Sequence, residues 1–454
     1  MSAAVSIPDL PTAEVHSLPR TSISVEVVLY GVAGLLLFLP LAFGAVEPWA
    51  IFALEFTSMA LFGVWAFTRL RDGHVELRWS PLFVPMLAFA GLTLLQMLTG
   101  TTAYRNATWS EFLLYSAYAI ICFLLVQCLS RGRQIRRIAT ASGIYGGAMA
   151  IFALLQSLSS PDKLYWLRTP RSGGWIYGPY VNHNHYAGLM EMLFPIPLVF
   201  AFTRFARGRE RWLAAGSAAL MGATIFLSSS RGGMVAFAAQ IAIFFCFLFK
   251  QRTRGRAALM MAVVLVASLL CVAWLGWSQV AERVSTVTNR HGEITSDIRS
   301  KIAADTIRVF LKRPLLGWGL GTFGEIYPQF RSFYTNSLVD YAHNDYLQLL
   351  AETGIAGFAI GLWFLASTLA PALRKIQKWP SELNAAVALA GTLGIAGILV
   401  HSLLDFNLHI PANAALFFAL CTVASLEQRF KTHRRGHREP SDATSAAETI
   451  SELS

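Results

Sequence analysis

The chain has 454 residues, of which 55% are hydrophobic and only 14% charged, with a mean hydropathy of +0.49. A soluble protein of this length would carry about a quarter charged residues, so the composition excludes an ordinary soluble enzyme and indicates an all-α polytopic membrane protein. The net charge of +11 is assigned to membrane topology, because no soluble stretch is long enough to gather the basic residues into a nucleic-acid-binding face, and no nucleic-acid partner is expected.

Residues 1–25 are mildly polar, contain Pro8, Pro11 and Pro19, and are expected to form a disordered tail. The first apolar run then continues for a full span, which fits an anchor and not a removed signal. About 12 transmembrane helices are expected, near 26–45, 49–68, 81–99, 111–130, 137–157, 184–203, 212–229, 233–250, 257–277, 345–371, 384–404 and 412–428. The chain thus divides into a nine-helix stretch over 26–277, a large outer loop over 278–344, a three-helix stretch over 345–428 and a second disordered tail over 429–454. The five cysteines lie in or beside apolar runs without metal-ligand spacing, so neither a disulfide nor a zinc site is expected.

Orientation follows from the Lys and Arg residues in alternate connections. With the N-terminus inside, the inside segments hold 24 of the 37 basic residues, in clusters such as Arg131, Arg133, Arg136 and Arg137. The short connections 46–48 and 405–411 hold none, and an even number of spans follows. Long loops tolerate charge, which covers many of the outside cations in 278–344 but not Arg231.

Arg231 lies between Phe226-Leu227-Ser228-Ser229-Ser230 and Gly232-Gly233-Met234, with apolar spans on both sides, so it is expected in a tight turn at the outer boundary. The two glycines permit positive φ and close approach by a backbone or ligand. The guanidinium is a planar fork suited to phosphate oxygens; the competing reading is an arginine that reaches lipid headgroups.

In the long loop, Thr295, Ser296 and Asp297 are cap residues, Ile298, Ile302, Thr306, Val309 and Phe310 recur at helical spacing, and Lys312 and Arg313 close the pattern before Pro314. An amphipathic helix is expected there, with Arg299 in its anion-favouring first turn. Gly317-Trp318-Gly319-Leu320-Gly321 follows no strand, so it reads as a tight loop on the membrane surface and not as a nucleotide loop.

Tyr341-Ala342-His343-Asn344-Asp345 leads into the tenth span. Asn344 or Asp345 can cap that helix, which leaves His343 at the outer boundary, where an imidazole can accept a hydroxyl proton. Asp345, Gln348 and Glu352 share one helical face, and carboxylates in a membrane helix usually face the bundle interior or a wet cavity. Asn182, His183 and His185, with Glu191 further inside, form a polar wall; histidines two apart point to different faces, which argues against a shared metal. His401 and Asp405, with Asn407 and His409, form a second wall. Glu55 is an intramembrane carboxylate without an evident role.

At these positions the sequence resembles the O-antigen ligase and polymerase superfamily of bacterial membrane glycosyltransferases. The resemblance is densest at Ser230-Arg231-Gly232-Gly233, at Arg299 with Arg313-Pro314 and Gly317–Phe323, and at His343-Asn344-Asp345-Tyr346 through Glu352-Thr353-Gly354. The Gly178–Gly188 run and Asp405-Phe406-Asn407 also look like that family. The resemblance implies a bundle of the C-type glycosyltransferase kind in the bacterial inner membrane, with cytoplasmic termini, a large periplasmic loop and a periplasmic active site. It further implies transfer of a glycan from undecaprenyl diphosphate to an acceptor hydroxyl, with no metal or other cofactor. Arg231 and Arg299 occupy the positions that bind the diphosphate, and His343 that of the base. Asn182, His183, His185, Asn344, Asp345, Glu352 and Asp405 are the expected substrate-binding residues.

A ligase acting on a lipid A core or related acceptor is the leading expectation, and membrane lipids are its surroundings. A polysaccharide polymerase, with a second lipid-linked glycan as acceptor, and a protein O-oligosaccharyltransferase share the donor chemistry. A transporter would carry polar residues at mid-membrane in related halves, whereas here they gather at the outer boundary.

Overall fold

The computed structural model describes residues 23–73, 76–170, 175–203, 206–250, 296–335, 338–378 and 382–426. The expected ninth span at 257–277, the start of the long loop and most of both tails lie outside these residues. Every expected span within them is helical: α1 (Ile23–Leu41), α2 (Pro48–Arg71), α3 (Phe83–Leu98), α4 (Arg105–Cys128), α5 (Gly132–Ser159), α6 (His183–Leu193), α7 (Pro195–Phe202), α8 (Arg209–Leu227), α9 (Arg231–Lys250), α10 (Ser296–Lys312), α11 (Asp345–Ile376), α12 (Leu383–His401) and α13 (Pro411–Ser425). The expected sixth span is interrupted at Pro195, which has no N–H to continue the ladder. Among the described residues, eight helices are long and apolar enough to cross a membrane, with α6 and α7 together forming one of them; α3 and α13 are shorter apolar helices.

The helices bury large and small apolar residues against one another and still leave faces of large apolar residues uncovered. Phe52, Phe56, Met59 and Phe67 on α2, and Ile144, Ile151, Leu155 and Leu158 on α5, are exposed at helical spacing. A fold that leaves such faces uncovered is built for lipid. Inside, α12 reads Leu-Asn-Ala-Ala-Val-Ala-Leu-Ala-Gly-Thr-Leu-Gly-Ile-Ala-Gly, and its glycines let neighbours approach closely: a β-carbon on Gly391 would lie 2.9 Å from Ala424 Cβ, and one on Gly394 would lie 3.0 Å from the Met192 carbonyl oxygen. Every residue of α6 is buried.

Helix ends gather into two groups. At one end, the start of α11 bonds to the end of α12 through Asp345 N donating to Ser402 O, and the α3–α4 connection bonds to the long loop through Ala103 N donating to Trp318 O. At the other end, Arg137 donates to Tyr30, Gln127 exchanges hydrogen bonds with the Arg78 backbone, and Lys375 donates to the carbonyls of Ala424 and Leu426. Among the described residues, Arg78, Arg137 and Lys375, all counted on the inside face of the sequence, fall at this second end.

The long loop docks on the first end. The α10 face of Ile302, Thr306 and Val309 is buried, and with Phe323, Ile326, Tyr327 and Ala351 it forms a small separate core. Asp305, also buried, accepts from Tyr327 Oη, Ser332 N and Ser332 Oγ, which holds the returning segment of the loop onto α10. The 314–321 segment sits against a break in α11, where Gly354 takes φ 63° and ψ −166°. Ile355 N donates to Pro314 O, Trp318 N to Ala351 O and Gly319 N to Glu352 O. Gly317 and Gly354 both have positive φ, and a β-carbon on either would lie 2.4 Å from the opposing backbone. The glycine run is a docking surface for a broken helix.

Candidate active site

The start of α6, the start of α10, the connection into α11 and the connection α12–α13 converge on one side chain, Asp405. It is 1% exposed, at the end of a helical run in which Asp405 N still donates to His401 O. Asn184 Nδ2 donates to Asp405 Oδ2. Arg299 Nη2 lies 3.8 Å from the same oxygen, and His343 Nδ1 lies 3.5 Å from Oδ1. Burial alone would push the Asp405 carboxyl up, but the His343 contact and the Arg299 charge outweigh it and hold the group well below the usual carboxylate range. A buried anion with two basic neighbours on different elements fixes those elements relative to each other.

Arg299 is one third exposed, with its side chain 33% accessible, and its Nη1 also donates to Leu404 O at 2.8 Å. Its Nε is buried and has no hydrogen-bond partner among the described residues. A cationic donor in that state has capacity left for an anionic ligand. His343 has φ 51°, a left-handed conformation that costs a non-glycine residue about 1–3 kcal/mol. Its neighbours hold it there: Asn344 Oδ1 accepts from Tyr346 N and Leu347 N as the α11 cap, and Asn344 Nδ2 donates to Leu403 O. With Nδ1 turned to Asp405, Nε2 is the nitrogen that can serve an acceptor.

Phe406 forms the apolar wall of the cluster. Its ring stacks on Tyr341 at 4.2 Å between centroids and meets His343 edge-on at 4.9 Å and His185 at 4.8 Å. His183 packs instead on Trp175, so the two histidines do face different ways. Asn182 caps α6 by accepting from Asn184 N, and its amide lies 3.4 Å from His185 Nε2. Asn413 links the wall to the bundle, donating to His185 O and accepting from Tyr180 Oη.

The Asp345, Gln348 and Glu352 face of α11 is buried as expected. Asp345 accepts from Leu408 N and from His409 Nδ1 at 2.7 Å. Burial would lower the His409 imidazole, but the hydrogen bond and charge of Asp345 raise it to about 9. The Glu352 carboxylate accepts from Gly321 N, Phe323 N and Gln348 Nε2, so it is committed to docking the loop. Glu55 is half-buried on α2 and takes part in none of these contacts.

Arg231 is exposed and opens α9, with three residues between it and the end of α8. The tight turn is there, but positive φ falls on Ser229 (61°) and not on the two glycines. The glycines serve close packing: a β-carbon on Gly232 would lie 2.4 Å from His401 Cδ2, and one on Gly233 would lie 2.9 Å from Ala187 Cβ. Ser230 Oγ is 3.4 Å from His401 Nε2. The Arg231 turn is therefore seated on the last residue of α12, one turn before Asp405. His401 itself faces inward, to Glu191, and not the wall formed by Asp405.

Asn184 and Phe406 lay in segments that carry the resemblance but were not among the expected site residues. Asn184 stood within the polar run and Phe406 beside Asp405, yet neither residue type announces a role without its neighbours. Ser230 gave no signal beyond adjacency to Arg231.

The fold and site define a polytopic α-helical membrane protein with a buried carboxylate, an arginine and a histidine clustered at one end of the bundle. Residues 216–362, which include Arg231, Arg299, His343 and Glu352, match the family described as O-antigen ligase. The chain is also 25% identical over 377 residues to an O-antigen ligase of Pseudomonas aeruginosa, covering 79% of this chain and 81% of that protein. Both matches support a place in the O-antigen ligase superfamily.

Proposed function

We propose that this protein is an O-antigen-ligase-type glycosyltransferase of the bacterial inner membrane, moving a glycan from undecaprenyl diphosphate to an acceptor hydroxyl, of a lipid A core or similar, at the periplasmic face. The observation that carries this reading is the Asp405 junction, which gathers a cation and a base from the long loop beside the turn of a second cation, Arg231.

In this reaction the acceptor oxygen attacks the anomeric carbon of the donor glycan. The new C–O bond forms as the bond from that carbon to the diphosphate oxygen breaks, and the electron pair leaves with undecaprenyl diphosphate. His343 Nε2 takes the acceptor proton, with Asp405 orienting the ring through Nδ1. Arg231 and Arg299 stabilise the departing diphosphate, a charge role that fixed guanidinium groups fill without reorganisation. Asn182, His185, Asn344 and Asp345 shape the pocket around the reacting groups. Placement at the periplasmic face is supported by Arg78, Arg137 and Lys375, which lie at the opposite end of the bundle and by the positive-inside rule mark the cytoplasm.

The test is reconstitution of the purified protein with an undecaprenyl diphosphate-linked glycan and, in parallel, a lipid A core, a second lipid-linked glycan and a serine-containing protein. Transfer to the lipid A core is the expected result. Transfer only to the lipid-linked glycan would make the protein a polymerase, and only to the protein an O-oligosaccharyltransferase. No transfer to any of the three would end the reading.

A further inference from the structure

Glu191 and His401 are a carboxylate and an imidazole enclosed in the membrane-spanning part of the bundle, 0% and 1% exposed. Such groups are costly there and are retained where they act, yet the reaction above uses neither. Glu191 Oε1 lies 2.8 Å from His401 Nδ1. The other ring nitrogen, Nε2, lies 3.4 Å from Ser230 Oγ, and that oxygen accepts from Gly233 N at 3.1 Å. The ring also fills the space that a β-carbon of Gly232 would take. Both residues flanking Arg231 therefore rest on one imidazole, whose far side is fixed by Glu191. Gln240 closes the frame from within α9, donating to Glu191 O and to Leu393 O.

We propose that Glu191 and His401 are positioning residues for Arg231, forming a buried relay that seats the Ser229–Gly233 turn and aims its guanidinium at the donor diphosphate. The inference rests on the assignment of Arg231 to the diphosphate. Neither residue touches substrate. The left-handed Ser229 gives the turn a shape that needs outside support, and the His401 ring, packed directly under Gly232, supplies it. Because the contact to Glu191 uses Nδ1 and the contact to Ser230 uses Nε2, the two halves of the relay can be separated by substitution. His401→Asn keeps a polar group near the Nδ1 position and loses the reach to Ser230, whereas His401→Gln does the reverse.

The test is equilibrium binding of undecaprenyl diphosphate to the full-length protein in nanodiscs, as a double-mutant cycle. Arg231→Ala, His401→Asn and Glu191→Ala should each weaken binding about tenfold, the scale of one lost hydrogen bond to a charged group. The double variants with Arg231→Ala should bind no more weakly than Arg231→Ala alone, because the relay acts only through that side chain. Glu191→Gln, which still accepts from Nδ1, should recover most of the affinity lost in Glu191→Ala. Gly232→Ala, whose β-carbon would lie 2.4 Å from the ring and displace it, should reproduce the loss. Losses that multiply in the double variants, or a His401→Asn protein that binds like wild type while Arg231→Ala does not, would overturn the relay alone. An Arg231→Ala protein that binds like wild type would remove both the relay and the diphosphate assignment.

Discussion

His343 Nδ1 lies 3.5 Å from Asp405 Oδ1, and the edge of the same imidazole rests on Phe406, the next residue in the chain. The histidine enters from the long loop and the aspartate from the α12–α13 connection, so the pair forms only when the loop is docked. The carboxylate also anchors Arg299 and Asn184. Replacing Asp405 should therefore act on orientation and on loop docking together.

The Asp405→Asn variant keeps the side-chain shape and loses the charge. Transfer should fall on the order of 100-fold or more, comparable to His343→Ala, and the double variant should be little worse than either single one because the two act as a unit. Steady-state transfer rates of the three proteins check this; multiplicative losses would show that the residues work independently.

Two groups outside the spans give opposite pH dependences. The His409 imidazole, raised to about 9 by Asp345, is charged in the folded protein at neutral pH, whereas an unfolded histidine titrates near ~6.5. Its stabilisation is complete below about pH 6.5 and is lost as pH rises through about 9. Asp405, held low, stabilises above its unfolded value of about 3.9 and loses that contribution as pH falls further. Unfolding temperatures in detergent should decline from pH 7 to 9.5, and His409→Gln should flatten that decline. An equal decline in the variant would assign the effect elsewhere.

The loop seat at the α11 break depends on glycine at two facing positions. Gly354→Ala and Gly317→Ala each add a β-carbon at 2.4 Å from backbone, on a residue already at positive φ. Each should cost at least about 1–3 kcal/mol of local stability and expose the 314–321 amides to hydrogen exchange. Glu352→Ala should do the same by removing the acceptor for Gly321 N and Phe323 N. Protection equal to wild type in all three would show that the seat does not depend on these contacts.

Much of this was legible in the sequence because it follows from local rules. Apolar runs located the helices, Asn344 announced the α11 cap, and the Ile302–Val309 spacing gave the buried face of α10. Asp345, Gln348 and Glu352 fell on one buried face as their spacing required. What was not legible depends on contacts between distant segments. Nothing near Asp405 says that it collects Asn184, Arg299 and His343. The glycines after Arg231 suggested positive φ or close approach; the packing of His401 against Gly232 is the second of these, made by a side chain of α12 that nothing near Arg231 announces, and Ser229 takes the strained conformation. Glu352 read as a ligand-facing carboxylate because its partners, two backbone amides of the loop, carry no sequence signature.

The proposed reaction divides the labour: two arginines would hold the donor diphosphate and His343 would remove the acceptor proton. The most direct measurement is donor affinity and single-turnover transfer on the same preparations of wild type, Arg231→Ala, Arg299→Ala and His343→Ala. Donor binding should weaken in both arginine variants, about tenfold each. In His343→Ala donor binding should stay near normal, with transfer reduced by about 100-fold or more. Transfer at wild-type rate in His343→Ala, or undiminished donor binding in both arginine variants, would contradict this division.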